Sequence, residues 1–80
     1  MKGFTLVRRE RNDAMEHFDF VRTRPLSTAE ASVTIDYSTK TVHGTCVAYG
    51  EWFDLERSDC LTLLKQCDDD DVLRQLRDFL

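Results

Sequence analysis

The 80-residue chain has little glycine and proline, with three glycines and one proline, Pro25. A chain so poor in both contains little linker, and its five phenylalanines, two tyrosines and one tryptophan argue against wholesale disorder. The length predicts one domain that covers residues 1–80. A core of this size leaves little room for a solvent-shielded active site.

No apolar run is long enough to cross a bilayer, and residues 1–9 lack the apolar segment of a signal peptide. The three cysteines, Cys46, Cys60 and Cys67, are an odd number. An odd count without a secretion signal favours reduced thiols in a cytosol-like compartment. We therefore expect a cytoplasmic protein that does not engage membranes.

Motifs that supply catalytic or metal chemistry are missing from the sequence. Cys60 and Cys67 would lie about 10 Å apart along a helix, too far to hold one zinc ion. His17 and His43 are isolated on polar strand faces, where surface positions are the usual interpretation. Glycine-rich phosphate loops and H-E-x-x-H patterns do not occur. We expect no catalytic residue, no cofactor and no bound metal.

Apolar residues alternate over 4–11 and 16–23, and again over 32–37 and 42–48. A period of two predicts β-strands, so these segments form two hairpins. After residue 50 the period becomes that of amphipathic helices, interrupted by the aspartate run 68–71. The predicted class is α+β: an antiparallel sheet of about four strands (two hairpins), with two C-terminal helices packed on one face.

Local patterns predict the details of the two hairpins. In the first, Leu6 is expected opposite Phe18 and Arg8 opposite Glu16. In the second, the four-residue loop 37–40 places Ile35 opposite Val42.

Patterns between and after the hairpins predict helix starts and core positions. Ser27 and Glu30 have the spacing of a capping box, which indicates a helical turn or a tight bend between the hairpins. Ser58 or Asp54 is the predicted cap of the first C-terminal helix. The core side of the two helices is predicted to carry Leu64 and Leu76.

Charge is distributed unevenly along the chain, which has a net charge of −4. Residues 1–24 hold six basic and four acidic side chains, whereas residues 25–80 hold five basic and eleven acidic ones. This asymmetry predicts that the acidic C-terminal half attracts a basic partner protein. By size and charge alone, such a domain is comparable to small phage and immunity proteins, which suggests an inhibitor that occludes a nucleic-acid-binding surface.

Aromatic residues among acidic ones suggest where that partner would be anchored. Tyr49 is expected to be exposed, while Trp52 and Phe53 could instead fill the gap between sheet and helices, an interpretation that the small core favours. The predicted partner-binding residues are Tyr49, Glu51, Trp52, Asp68, Asp69, Asp70 and Asp71.

Two alternatives remain open at this stage. The first is nucleic-acid binding by a basic face of the first hairpin, made of Arg9, Arg11, Arg22 and Arg24. The acidic pI of about 5.0 argues against it. The second is a small structural module that forms a homodimer through an open sheet edge.

Overall fold

A computed structural model describes residues 3–24, 27–66 and 70–77. It contains a five-stranded antiparallel sheet in the order β1-β2-β3-β4-β5, so each strand pairs with its sequence neighbours. A helix and a short second helical segment follow the sheet. The elements are β1 (Thr5–Asn12), β2 (Met15–Arg24), β3 (Ser27–Asp36), β4 (Thr41–Ala48), β5 (Glu51–Leu55), α1 (Arg57–Lys65) and α2 (Asp70–Arg77). The α+β class and the antiparallel sheet are confirmed.

The prediction of four strands misses β5, which lies in the segment expected to join the sheet to the helices. The two residues Tyr49 and Gly50 turn the chain back on itself, and Ala48 pairs with Glu51. Both loop residues have positive φ, 54° and 75°. This is the type I′ pattern, whose twist matches that of the flanking strands.

The first hairpin forms as expected, but its predicted register is wrong. Leu6 pairs with Phe20 rather than Phe18, and Arg8 pairs with Asp19 rather than Glu16. The hairpin closes at Asn12 and Met15 around a two-residue loop in which Asp13 has a φ of 52°. The predicted register centres the turn on Asn12, whereas the observed loop consists of Asp13 and Ala14.

A bulge in β1 changes which side chains face the core. The pairing slips by one residue between Leu6 and Arg8, leaving Val7 as the extra residue. Because side chains alternate along a strand, one extra residue moves every later residue to the other face. Arg9 therefore lies on the same face as its partner Phe18, which is buried. The expectation that Arg9 and Arg11 occupy the polar face is wrong.

The predicted register of the second hairpin is confirmed, with Ile35 opposite Val42 across the loop 37–40. The capping-box interpretation of Ser27 and Glu30 is wrong, because both belong to strand β3. Alternate residues of β3, among them Ala29, are buried beneath the helices. Tertiary burial of that alternating face outweighs a local helix-start signal.

The helices cover the face of the sheet that carries the phenylalanines. Leu64 and Leu76 are buried, as predicted. Helix α1 begins after Glu56, which makes no side-chain capping hydrogen bond. Neither predicted cap is correct, because Asp54 lies in β5 and Ser58 lies inside the first turn. The buried core consists of Phe4, Phe18, Phe20, Ala29, Ala31, Val33, Ile35, Cys46, Cys60, Leu63, Leu64, Val72 and Leu76.

Helix α1 approaches the sheet at Gly44 of β4. A Cβ atom there would lie 2.5 Å from Cys60 Sγ, 3.1 Å from the carbonyl oxygen of Ser32 and 3.2 Å from Leu55 Cδ1. The first distance is too short for any real side chain. Glycine is therefore required for the helix to pack at this depth.

Replacing Gly44 with Ala is expected to destabilise the fold by about 1–3 kcal/mol, because the added methyl group overpacks the helix–sheet contact. Denaturant unfolding measures this cost. In the double variant Gly44→Ala/Cys60→Ala the loss should be less than the sum of the two single losses, since the closest clash is removed. Additive losses would show that Cys60 does not set the depth of α1.

Candidate partner-binding surface

The sheet face opposite the helices carries an exposed apolar cluster at the β4–β5 hairpin. Val47 and Trp52 are directly paired across the two strands, and Tyr49 stands at the tip of the loop between them. Their exposed fractions are 41%, 64% and 78%. We call these three residues, with the acidic residues Glu30 and Asp54 beside them, the hairpin patch. A core of aromatic side chains with a polar border is the usual composition of a protein-binding site.

Tyr49 is held in an unfavourable backbone conformation without being buried. Its φ of 54° lies in the left-handed region, which a bulky side chain rarely adopts. Asparagine is the preferred residue at this position of a type I′ turn. A strained, exposed aromatic residue contributes little to stability, so neither core packing nor turn geometry explains the tyrosine at this position.

Trp52 is not part of the core, which corrects the interpretation that it fills the gap between sheet and helices. Trp52 pairs directly with Val47 of β4, and directly paired residues project from the same face of a sheet. The side chain of Trp52 therefore lies on the uncovered face, as that of Val47 does. Phe53, the next residue, projects from the helix-covered face and remains 45% exposed. The predicted exposure of Tyr49 is confirmed. The sequence pattern does not predict a strand over residues 51–55, so it gives no alternation from which the direction of the Trp52 side chain could be inferred.

The sequence predicts the two acidic residues of the hairpin patch, Glu30 and Asp54, as helix-capping residues and not as part of a binding surface. Glu30 lies beside Val47 on the neighbouring strand, and Asp54 lies two residues beyond Trp52 on the same face. The predicted residue Glu51 is exposed but belongs to the opposite face, where it pairs with Ala48. The residues Asp68 and Asp69 and the side chains of Asp70 and Asp71 lie outside the described part of the chain.

The arginines of the alternative nucleic-acid face are engaged with the protein itself. The guanidinium groups of Arg9, Arg11 and Arg22 lie over aromatic rings, at 5.3 Å from the centre of Phe18, 5.2 Å from Tyr37 and 5.0 Å from Phe4 respectively. All three stand on the helix-covered side of the sheet. The side chain of Arg24 lies outside the described residues. These three arginines therefore pack on aromatic rings of the protein, although Arg9 and Arg11 remain exposed.

The buried carboxylate of Glu16 accepts hydrogen bonds from Arg9 and Tyr37. Glu16 is only 2% exposed. Its Oε2 accepts a hydrogen bond from Arg9 Nε, and its Oε1 accepts one from the hydroxyl of Tyr37 at 2.7 Å. Burial of the phenol and the adjacent Glu16 raise the pKa of Tyr37. This cluster closes the core at the end of the sheet where the β1–β2 and β3–β4 loops lie.

Replacing Glu16 with Gln is expected to cost about 2 kcal/mol of stability, since hydrogen bonds to a buried charged group are worth more than those to a neutral one. The same substitution at Glu10, which forms an ion pair with Arg8 on the exposed surface, should cost less than about 1 kcal/mol. Urea unfolding of the two variants makes the comparison. Equal losses would mean that the Glu16 cluster is not a structural anchor.

A second polar network lies on the uncovered face. His17 Nε2 donates to Asp19 Oδ1 at 2.9 Å, and Ser32 Oγ donates to the same oxygen at 2.7 Å. With Nε2 protonated, His17 Nδ1 accepts from the hydroxyl of Thr34, also at 2.9 Å. Partial burial opposes ionisation of Asp19, but hydrogen bonds from Ser32 and His17 outweigh it and lower its pKa.

The Thr34–His17–Asp19 chain has the connectivity of a hydroxyl, a base and an acid, and it lies on two inner strands of the sheet. These strands, β2 and β3, both pair with strands on either side. Their N–H groups are consequently used by the sheet, and no backbone donors remain here to stabilise an oxyanion. We interpret this network as a cross-strand stabilising element. The sequence does not predict it, because it depends on the pairing of β2 with β3, which brings His17 beside Thr34 and Asp19 beside Ser32.

The described cysteines are reduced and inaccessible. Cys46 and Cys60 are both free and buried, and burial raises the pKa of each thiol. Cys67 lies outside the described residues. Within the described ranges, no three His, Cys, Asp or Glu side chains are grouped so that they could hold a metal ion.

The lowered pKa of Asp19 predicts a pH-dependent contribution to stability. Because the folded state favours the ionised carboxylate, this contribution is present above the pKa of the unfolded chain, about 3.9, and is lost as the pH falls through the folded pKa. The variant Asp19→Asn should therefore be less stable than wild type at pH 7 and should lose less stability on acidification. Urea midpoints between pH 2 and 7 measure this, and Ser32→Ala should give a smaller effect of the same sign. An unchanged pH profile in Asp19→Asn would contradict the assignment.

Comparison with known proteins gives no relatives for this chain. No protein-family model matches it, and neither curated proteins nor solved structures give a significant match. In the described part of the chain, neither helix has the length and apolar character needed to span a membrane.

Proposed function

We propose that the protein is a non-catalytic binding module that attaches to a partner protein through the hairpin patch. The observation that carries this proposal is Tyr49, a 78% exposed aromatic residue held at a φ of 54°. Trp52 adds a second exposed aromatic ring on the next strand. Tyr and Trp are the residue types most often responsible for binding energy at protein interfaces.

The chemistry of the patch indicates a partner with a basic surface. Glu30 and Asp54 border the apolar residues, and the chain carries a net charge of −4. Complementary charge at the border of an interface accelerates association and sets orientation, while the buried anchors slow dissociation. The predicted partner-binding residues Asp68, Asp69, Asp70 and Asp71 supply four of the acidic side chains of the C-terminal half.

An inhibitor that occludes a nucleic-acid-binding surface is one form of this function. Such surfaces are basic, and an acidic module that covers one competes with the phosphate backbone. The free, buried thiols of Cys46 and Cys60 are consistent with a reducing, cytoplasmic location. Nucleic-acid binding by the protein itself is less well supported, because its described arginines on the predicted face pack against Phe4, Phe18 and Tyr37.

Two substitutions test the proposal without disturbing the fold. Tyr49→Asn removes the aromatic ring and installs the preferred type I′ residue, so stability should rise by about 0.5–1 kcal/mol. Trp52→Thr removes the second anchor and retains β-propensity. Each should weaken binding to the partner at least about tenfold through faster dissociation. Val7→Thr, an exposed apolar residue on the opposite edge strand, is the matched control.

The measurement is affinity capture from nuclease-treated extract of the source cells, followed by binding kinetics with the purified partner. Capture by wild type and Val7→Thr, but not by Trp52→Thr, is the expected result. Replacing the four aspartates 68–71 with Asn should slow association and reduce its salt dependence. A partner that binds all variants equally would contradict the proposed surface. Binding that vanishes with nuclease treatment and depends on Arg9 and Arg11 would favour the nucleic-acid alternative.

A further inference from the structure

The two edges of the sheet differ in how they are protected. Strand β1 contains a bulge at Val7 and a run of charged residues from Arg8 to Arg11, both of which discourage pairing with another chain. Strand β5 has neither a bulge nor a basic residue or proline. Among the described residues, no strand lies on its outer side. The less protected edge of the sheet is therefore β5.

The backbone of β5 presents groups on that side with which no described strand pairs. Ala48 and Glu51 close a two-residue loop and so form a hydrogen-bonded pair. In an antiparallel ladder, alternate residues direct their N–H and C=O groups to one neighbour. Glu51, Phe53 and Leu55 therefore bond to β4, whereas the N–H and C=O groups of Trp52 and Asp54 point away from it.

The side chains of β5 specify what could pair there. The adjacent residues Trp52 and Phe53 are aromatic and are exposed on opposite faces of the sheet. Acidic residues flank them, with Glu51 on one side and Asp54 on the other. A strand laid beside β5 would place apolar side chains against the aromatic pair and basic side chains against the two acids.

We propose that the partner adds an extended segment to β5, antiparallel to it, with two apolar residues enclosed by two basic residues. This inference rests on the proposed function, and it names the mode by which the basic partner is bound. Affinity would come from main-chain bonds to Trp52 and Asp54, and specificity from the four facing side chains. A second copy of this chain is a poorer occupant, because a β5–β5 pair brings two sets of Glu51 and Asp54 together without a basic residue.

The probe is the blocked peptide Thr-Arg-Val-Tyr-Arg-Thr, whose binding is measured by heteronuclear NMR titration of the full chain. We expect a dissociation constant below about 1 mM and slowed amide exchange at Trp52 and Asp54. The permuted peptide Thr-Val-Arg-Arg-Tyr-Thr has the same composition and charge and should bind at least about fivefold more weakly. Equal affinities would reduce the interaction to non-specific charge attraction and overturn the proposal.

Main-chain pairing is tested with N-methylated peptides. In the antiparallel register, the amides of the first Arg and of Tyr face β5, and those of Val and of the second Arg face away. Methylation of the facing pair should weaken binding at least about tenfold relative to methylation of the other pair. Equal loss in both peptides would overturn strand addition.

The matched protein variants are Asp54→Thr and Asp54→Pro. Both remove the carboxylate, but only the second removes the outward N–H group, and proline at such an edge position leaves the bonds to β4 intact. With both variants folded by circular dichroism, Asp54→Pro should bind the peptide about threefold or more weakly than Asp54→Thr. If Asp54→Pro does not fold, the methylated peptides decide alone.

The remaining outcomes separate the two proposals. If the peptide does not bind, but the cellular partner is still captured in a Trp52-dependent way, strand addition is wrong and the hairpin patch stands. If the peptide binds through β5, and the captured partner ignores Tyr49 but is lost with Asp54→Pro, the patch is wrong and the edge stands. Concentration-dependent dimers in sedimentation, abolished by Asp54→Pro, would show that a second copy occupies the edge and would overturn the proposed occupant.

Discussion

The packing of helix α1 against strand β4 determines the character of every surface on this protein. Cys60 fits over Gly44, and the hydrophobic side chains around that contact draw both helices onto one face of the sheet. The other face has no such cover among the described residues. A five-stranded sheet covered on one side has to keep its second face in water with polar groups, or use it for binding. The uncovered face of this sheet carries the His17 network in the middle and the exposed apolar residues of the hairpin patch at one side.

Polar residues close the core where the hydrophobic residues end. Glu16 lies at the loop end of β2, and its carboxylate is satisfied by Arg9 and Tyr37. Charged residues of β1 are drawn to the covered face because the bulge at Val7 changes the alternation of the strand. The bulge at Val7 therefore places Arg9, which the sequence suggests as part of a basic binding face, beside the core residues Glu16 and Phe18.

Binding surfaces on small folds are often recognised by residues that break the rules of local stability. Tyr49 is such a residue, because its backbone conformation would suit asparagine better and its ring is not used in the core. The unprotected edge of β5 is a second departure, since β1 carries the usual protection against pairing. The strained turn residue Tyr49 and the exposed edge of β5 both belong to the β4–β5 hairpin, within residues 47–55.

Sequence periodicity by itself determined the class of the fold, the two predicted hairpins, the register of Ile35 opposite Val42, and the burial of Leu64 and Leu76. Each of these depends on a regular local repeat, which the sequence displays directly. Tertiary structure alone decided the rest. The fifth strand depends on pairing with β4, and the strand conformation of Ser27 and Glu30 depends on burial of their neighbours. The face occupied by Arg9 depends on a bulge, and a one-residue slip has no local signature although it reverses every side chain beyond it. Exposure of Trp52 follows from the same principle, since only the pairing of β5 shows which way its side chains point.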